Sequence, residues 1–128
     1  MQKGEVVQAS DLLNHYAADP AAADRRYKKQ NFKIRGIITD VDKVLMVSPY
    51  RVFFRVPGNG LKVLCDVRSP ERFSKVYVSG NRERVVGETF SEIVTLARVG
   101  EEVTLQGRCG GWKDGTVIFD YADKIPGK

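Results

Sequence analysis

Apolar and polar side chains alternate with a period of two over several parts of the chain, the signature of strands with one buried and one wet face. The clearest part is residues 101–121, EEVTLQGRCGGWKDGTVIFDY. Val103, Leu105, Gly107 and Cys109 fall on one side, and Thr104, Gln106 and Arg108 on the other. Gly110, Gly111, Asp114 and Gly115 supply a turn, because glycine takes positive φ at no steric cost. Val117, Phe119 and Tyr121 resume the alternation, so the stretch reads as two strands joined by a glycine-rich loop that carries Trp112 and Lys113.

Earlier in the chain, Phe32, Ile34, Gly36 and Ile38 alternate with Lys33, Arg35, Ile37 and Thr39 in a first strand. A glycine at position 36 predicts a bulge or sharp bend there. Residues 40–43 open a connection, with a short extended piece at 44–47. Val52, Phe54 and Val56 then point one way from a second strand, and Arg51, Phe53 and Arg55 the other. Residues 57–60, PGNG, are a strong turn signal. Leu61, Val63, Cys65 and Val67 form the buried side of a third strand, with Lys62, Leu64 and Asp66 outside; the two strands should pair as a hairpin.

Helical spacing appears near the start. Ser10 is a good cap for a helix whose apolar stripe is Leu12, Leu13 and Tyr16. Asp19-Pro20 starts another, with three alanines and Tyr27 as its anchor. Residues 1–8 read as a frayed lead-in, and residues 1–31 as a helical N-terminal extension. Residues 68–88 mix charge with Pro70, Gly80, Asn81 and Gly87 and read as an insertion. Residues 89–99 place Phe90, Ile93, Leu96 and Ala97 on one helical face with Gly100 as the stop; a strand at 93–96 is the alternative. Residues 122–128 read as a tail.

Five short strands, a helix between the third and fourth, helices before the first and no long parallel crossover predict a single domain. Its fold class is a β-barrel of OB-fold type, a five-stranded Greek key whose closure removes exposed sheet edges. The chain of 128 residues suits one core.

Charge leans basic, with 21 Lys and Arg against 16 Asp and Glu, a net +5. This favours an anionic partner such as nucleic acid or lipid, while a mixed solvated surface is the plainer reading. No apolar run is long enough for a transmembrane helix, and the first residues lack a signal peptide's apolar stretch. The expectation is a cytoplasmic protein if Met1 is the native start, and a periplasmic or exported one if a signal peptide has been removed. Cys65 and Cys109 have no metal-ligand spacing around them. They read as two buried thiols or, in an exported protein, as a disulfide. His15, the only histidine, reads as a surface helix residue.

Asp40, Asp42, Asp120 and Asp123 are the carboxylates near loops, and no catalytic motif joins them. No enzyme activity, metal or cofactor is expected. The outward positions Arg51, Phe53, Arg55 and Lys62, with Lys33 and Arg35 on the first strand and Trp112 and Lys113 in the last loop, suit single-stranded DNA or RNA: bases stack on rings and phosphates seek cations. The competing reading is a docking face for a protein partner. A third is packing, with Phe53 under residues 68–88 or an N-terminal helix and Trp112 folded over a barrel end.

Several stretches resemble the tRNA_anti-like family of bacterial OB-fold proteins. They are Ala9-Ser10-Asp11-Leu12-Leu13 with Tyr16, Ala22-Ala23-Asp24 to Tyr27, Phe32-Lys33-Ile34-Arg35-Gly36-Ile37-Ile38, and residues 99–111, VGEEVTLQGRCGG. The resemblance covers roughly residues 9–40 and 96–125, and residues 68–87 run longer than the family pattern. It implies kinship with tRNA-synthetase anticodon-binding domains and a family in which many members are exported or lipid-anchored. It assigns no functional residues.

Overall fold

The computed structural model describes residues 5–44, 49–56, 58 and 60–125. In chain order these form β1 (Val6–Gln8), α1 (Ala9–Ala18), α2 (Pro20–Tyr27), β2 (Asn31–Ile37), β3 (Asp40–Asp42), β4 (Tyr50–Arg55) and β5 (Lys62–Val67). There follow β6 (Lys75–Ser79), β7 (Arg84–Glu88), β8 (Ile93–Arg98), β9 (Glu102–Lys113) and β10 (Thr116–Ile125).

Seven strands share one sheet in the order β1-β2-β9-β10-β5-β4-β3. Neighbours are antiparallel except at β1–β2 and at β5–β10, which run parallel. The sheet is not closed into a barrel by strand pairing, and it holds two more strands than the five expected. Its remote members β2 and β3 are nevertheless consecutive in the chain, linked by Ile38 and Thr39. The Ile38 amide donates to the Glu101 carbonyl beside β9 (2.9 Å), and the Thr39 amide to the Phe53 carbonyl of β4 (2.9 Å). Residues 31–42 thus pass from one flank of the sheet to the other.

The alternation read from sequence sets which side is buried. Phe32, Ile34, Val52, Phe54, Val63, Cys65, Val67, Val103, Leu105, Cys109, Val117 and Phe119 all enter one core. Leu12, Leu13 and Tyr16 of α1 and Ala23 and Tyr27 of α2 complete it. The rings of Tyr16, Tyr27, Phe32 and Phe119 form a continuous chain, with successive centroids 6.1, 5.8 and 5.3 Å apart. Gly36 marks a close approach rather than a bulge, since a Cβ there would stand 2.9 Å from both Ala9 Cβ and the Phe54 ring. Asp19 caps α2 as its sequence predicts, accepting from the Ala22 amide at 3.1 Å. Ser10 does not cap α1; the helix starts at Ala9, with Gln8 as an N-cap that makes no side-chain bond.

Three further expectations are corrected. Residues 6–8 are not frayed lead-in but a strand paired to β2. Residues 68–88 hold β6 and β7, and the segment expected to be a helix holds β8; together they form an antiparallel three-stranded sheet. Ile93-Val94-Thr95 is rich in β-branched side chains, which pack well on a pleat and lose rotamer freedom in a helix. The supposed helical stripe is not a buried face either, because Phe90 and Ile93 are exposed. Residues 122–125 continue β10 instead of starting a tail. The expected extended piece at 44–47 and the turn at 57–60 lie largely outside the described residues; Gly58 and Gly60 have the positive φ that the turn reading requires.

Candidate functional site

Outward positions of neighbouring strands line up in rows across the sheet. Phe53 on β4 stands opposite Leu64 on β5, and Leu64 opposite Ile118 on β10. All three are half-buried, so the sheet's wet side carries an apolar row. Beside it runs a second row: Arg55 opposite Lys62, Lys62 opposite Thr116, and Thr116 opposite Lys113. Lys62 Nζ sits 5.5 Å from the centroid of the Phe53 ring, a cation–π distance that draws the two rows together.

The face is concave where β3 meets the turn between β6 and β7. Asp40, Asp42, Phe53, Arg55 and Lys62 line a groove of about 360 Å³, whose far wall is Asn81 and Arg82. Asn81 and Arg82 both adopt positive φ, which brings the turn over β3. Arg82 Nη2 donates to Asp42 Oδ1 at 2.8 Å. Burial opposes the Asp42 charge, but the bonds from Arg82 and the Lys43 amide outweigh it, and the carboxyl is held below its ordinary range. Arg55 Nε donates to Asp40 Oδ2 (2.7 Å) and Arg51 Nε to Asp66 Oδ1 (3.1 Å). Two arginines expected to offer free charge are therefore already neutralised.

Lys33 and Arg35 lie on β2, three strands from β5 and four from β4 by way of β9 and β10. Arg35 Nε donates to Thr104 Oγ1 at 3.1 Å. Where the chain bends after β2, Arg35 and Arg55 line a common recess of about 270 Å³ with Gln8, Ser10, Thr39 and Glu102. The structure thus groups Phe53, Arg55, Lys62 and Lys113 on one face, sets Arg51 beside them in an ion pair, brings Arg35 to Arg55 through this bend, and leaves Lys33 apart on β2 opposite Gln106.

Trp112 is not in a loop. It belongs to β9, with its ring stacked on Tyr16 at 6.1 Å and 10°. The cause is a bulge: Ile118 pairs with Gly111 and Phe119 with Cys109, leaving Gly110 as the extra residue. One added residue inverts the alternation, so Trp112 turns to the side of its partner Val117, which is buried. This is the geometry of the packing alternative. Tyr16 Oη donates to Asp24 Oδ1 at 2.8 Å and contacts Cys109 Sγ at 3.9 Å. Burial, first, and Asp24 beside it push the Tyr16 hydroxyl well above its ordinary range.

Cys65 and Cys109 are free and buried. Each pairs with Phe119, from opposite sides of β10. Two strand spacings, about 9–10 Å, separate them, beyond the reach of a disulfide, so that alternative of the sequence reading is not met. The expected carboxylate candidates also disperse: Asp40 and Asp42 pair with Arg55 and Arg82, and Asp123 with Arg68. Asp120 differs. With Pro49, Asp66, Arg68 and Tyr121 it lines a cavity of about 490 Å³. Burial and then the neighbouring Asp66 raise its carboxyl above the ordinary range, against the pull of Arg108. Among the described residues, no three His, Cys, Asp or Glu side chains converge as a metal site would need. Among the same residues no helix is long and apolar enough to cross a membrane.

Sequence reasoning missed Ile118, Asn81 and Arg82. Ile118 was readable, since it alternates with the inward Val117 and Phe119. Nothing in residues 80–83 announced that their turn would cover β3.

The tRNA_anti-like family model matches residues 1–121. A crystal structure of a Klebsiella pneumoniae protein described as a "putative nucleic acid-binding lipoprotein" superposes with a TM-score of 0.59 over 96% of this chain and 92% of that one. At 15% identity, that likeness is one of fold. No curated protein matches the chain.

Proposed function

We propose, from the premise that this chain belongs to the tRNA_anti-like family, that it is a non-enzymatic binding module taking single-stranded nucleic acid on the outward face of β4, β5 and β10. The observation that carries the reading is the pair of adjacent rows, apolar Phe53–Leu64–Ile118 and, beside it, Lys62–Thr116–Lys113, whose two lysines carry the charge while Arg55 is paired to Asp40. Bases have apolar faces and the backbone has charge, so a single strand presents both chemistries side by side. The neighbour's description as a nucleic acid-binding protein is consistent with this. Trp112 stacks on Tyr16 against the core and is not part of the binding face, and Phe53 is the residue that meets a base.

The same reading treats residues 31–42 as one bent strand. The pairing order then becomes that of an OB-fold Greek key, with its parallel contact at β5–β10 and a three-stranded sheet inserted between the third and fourth strands. In such domains the ligand face lies on the second and third strands, here β4 and β5.

Titration of labelled single-stranded DNA and RNA at several salt concentrations tests the proposal. Affinity should fall steeply with salt, and Phe53→Ala should remove one stacked base, about 1–3 kcal/mol. An absence of binding at low salt, or Phe53→Ala binding like the wild type, overturns it.

A second reading rests on a different surface. Tyr77 and Ile93 are exposed on the three-stranded sheet and Phe90 in the connection between β7 and β8, and the neighbour is described as a lipoprotein. An exported domain docking a protein partner through that sheet fits both. Locating the native protein by cell fractionation separates the compartments that the two readings need.

A further inference from the structure

The cationic row continues beyond the groove. Lys113 closes it on β9, and two residues before it stands Gly111, opposite Ile118. The space a Gly111 Cβ would fill is taken by the methylenes of Lys28, 3.0–3.2 Å away. Lys28 follows α2, and its amide donates to Asp24 O at 3.0 Å. The next amide, of Lys29, donates to Cys109 O at 2.8 Å, and the Cys109 amide to Gln30 O at 3.0 Å. The turn after α2 is thereby bound to the end of β9, and the Lys28 stem lies across Gly111, on the face of β9 that carries Lys113 two residues on.

Neither lysine has an ion-pair partner among the described residues. Among the described residues Arg26, Arg51, Arg55, Arg68, Arg72, Arg82 and Lys124 each sit within 4.0 Å of a carboxylate, and Lys28 and Lys113 do not. The carboxylates nearest in the chain are Asp24, four residues before Lys28, whose Oδ1 accepts from Tyr16 Oη, and Asp114, in the turn after Lys113; Asp120 on the ladder pairs in register with Arg108. A free ammonium that meets a phosphate displaces a counterion condensed on the nucleic acid, whereas a paired arginine must first give up its carboxylate.

Resting on the proposed nucleic-acid reading, we infer that Lys28 and Lys113 form a phosphate-binding pair at the β9 edge, supplied jointly by the helical extension and the bulged strand. A bound strand crosses β4, β5 and β10 from the Phe53 groove and ends at these two lysines. The path from β4 to β9 covers three strand spacings, roughly 14 Å.

The test uses the full chain and a labelled oligothymidylate of about 12 nucleotides, within the range of about 4–16 that one such domain occupies. Log affinity is measured against log salt concentration for the wild type, Lys28→Gln, Lys113→Gln, the double variant, Arg51→Gln and Phe53→Ala, with a melting curve for each. The expected result is a slope about 0.7 smaller for each lysine removed and unchanged for Arg51→Gln. Lys113 is exposed, so its variant keeps the test alive if Lys28→Gln disturbs the turn. A double variant with the wild-type slope, beside a Phe53→Ala that binds weakly, overturns this inference and leaves the proposed function standing. A wild type that ignores the oligomer and binds vesicles of phosphatidylcholine with phosphatidylserine overturns both.

Discussion

Replacing Trp112 by alanine distinguishes a supporting ring from a ligand-binding one. The indole is half-buried, packs against the core and stacks on Tyr16 at 6.1 Å. A fully buried tryptophan costs about 3–5 kcal/mol when truncated to alanine, and an aromatic pair contributes about 0.5–1.5 kcal/mol beyond its area. Half burial with one stacked face places Trp112→Ala at about 2–3 kcal/mol. A chain of 128 residues has an unfolding entropy of about 0.27 kcal/mol/K, so the melting temperature should fall by about 7–11 °C. Phe53 stands on the outward side with Lys62 over its ring, and Phe53→Ala should cost no more than about 1 kcal/mol. Thermal melts followed by far-ultraviolet circular dichroism give both numbers. Trp112→Phe, which keeps a ring over Tyr16, should recover most of the loss. If Trp112→Ala melts within about 2 °C of the wild type, the indole is not a structural support and the assignment of roles to the two rings is wrong.

Other consequences can be checked on the same preparations. The raised Asp120 carboxyl means that the native state holds its proton more tightly than the unfolded chain, so stability falls as pH rises from the ordinary value of 3.8 through the native one. Asp120→Asn should flatten that fall and leave the protein more stable than the wild type at pH 7, measured by urea unfolding across pH; an equal or lower midpoint at pH 7 refutes it. At Gly107 a Cβ would meet the Asp120 carbonyl oxygen at 2.7 Å, the Phe119 ring at 2.9 Å and Ala122 Cα at 3.0 Å. Backbone cannot swing aside as a side chain can, so Gly107→Ala should cost about 1–3 kcal/mol, and an unchanged melting temperature counts against the close approach of β9 and β10. Burial raises both thiols, Cys65 and Cys109, above their ordinary range. Alkylation at pH 8 should therefore proceed only in denaturant, and a reducing agent should not shift the melting temperature; rapid labelling of the folded protein contradicts this.

Period-two alternation identified β2, β4, β5, β9 and β10 because each has one face in the core and one in water. Helical spacing identified α1 and α2, whose Leu12, Leu13, Tyr16 and Tyr27 are buried as the stripe requires. The middle of the chain was illegible for a physical reason. β7 buries three successive residues, Val85, Val86 and Gly87, around a register shift, so no alternation exists to be read. Phe90 and Ile93 are exposed on the segment that holds β8, and their helical spacing was a coincidence of surface residues. The candidate platform was legible as residues but not as electrostatics. Arg51 and Arg55 look like free cations until the register sets Asp66 and Asp40 beside them. Trp112 was misplaced because the bulge at Gly110 shifts the count by one, and a side chain in a strand changes sides with every residue.

The last strand to be synthesised among the described residues occupies an interior lane of the sheet. β10 lies between β9 and β5, and it delivers Val117, Phe119 and Ala122 to the interior. Until residue 125 has left the ribosome, two hydrophobic strands wait with open flanks, ready to pair with any neighbouring nascent chain. The domain is thus most exposed to misassembly just before β10 emerges, and a stalled product that stops short of residue 116 is the species a chaperone must hold.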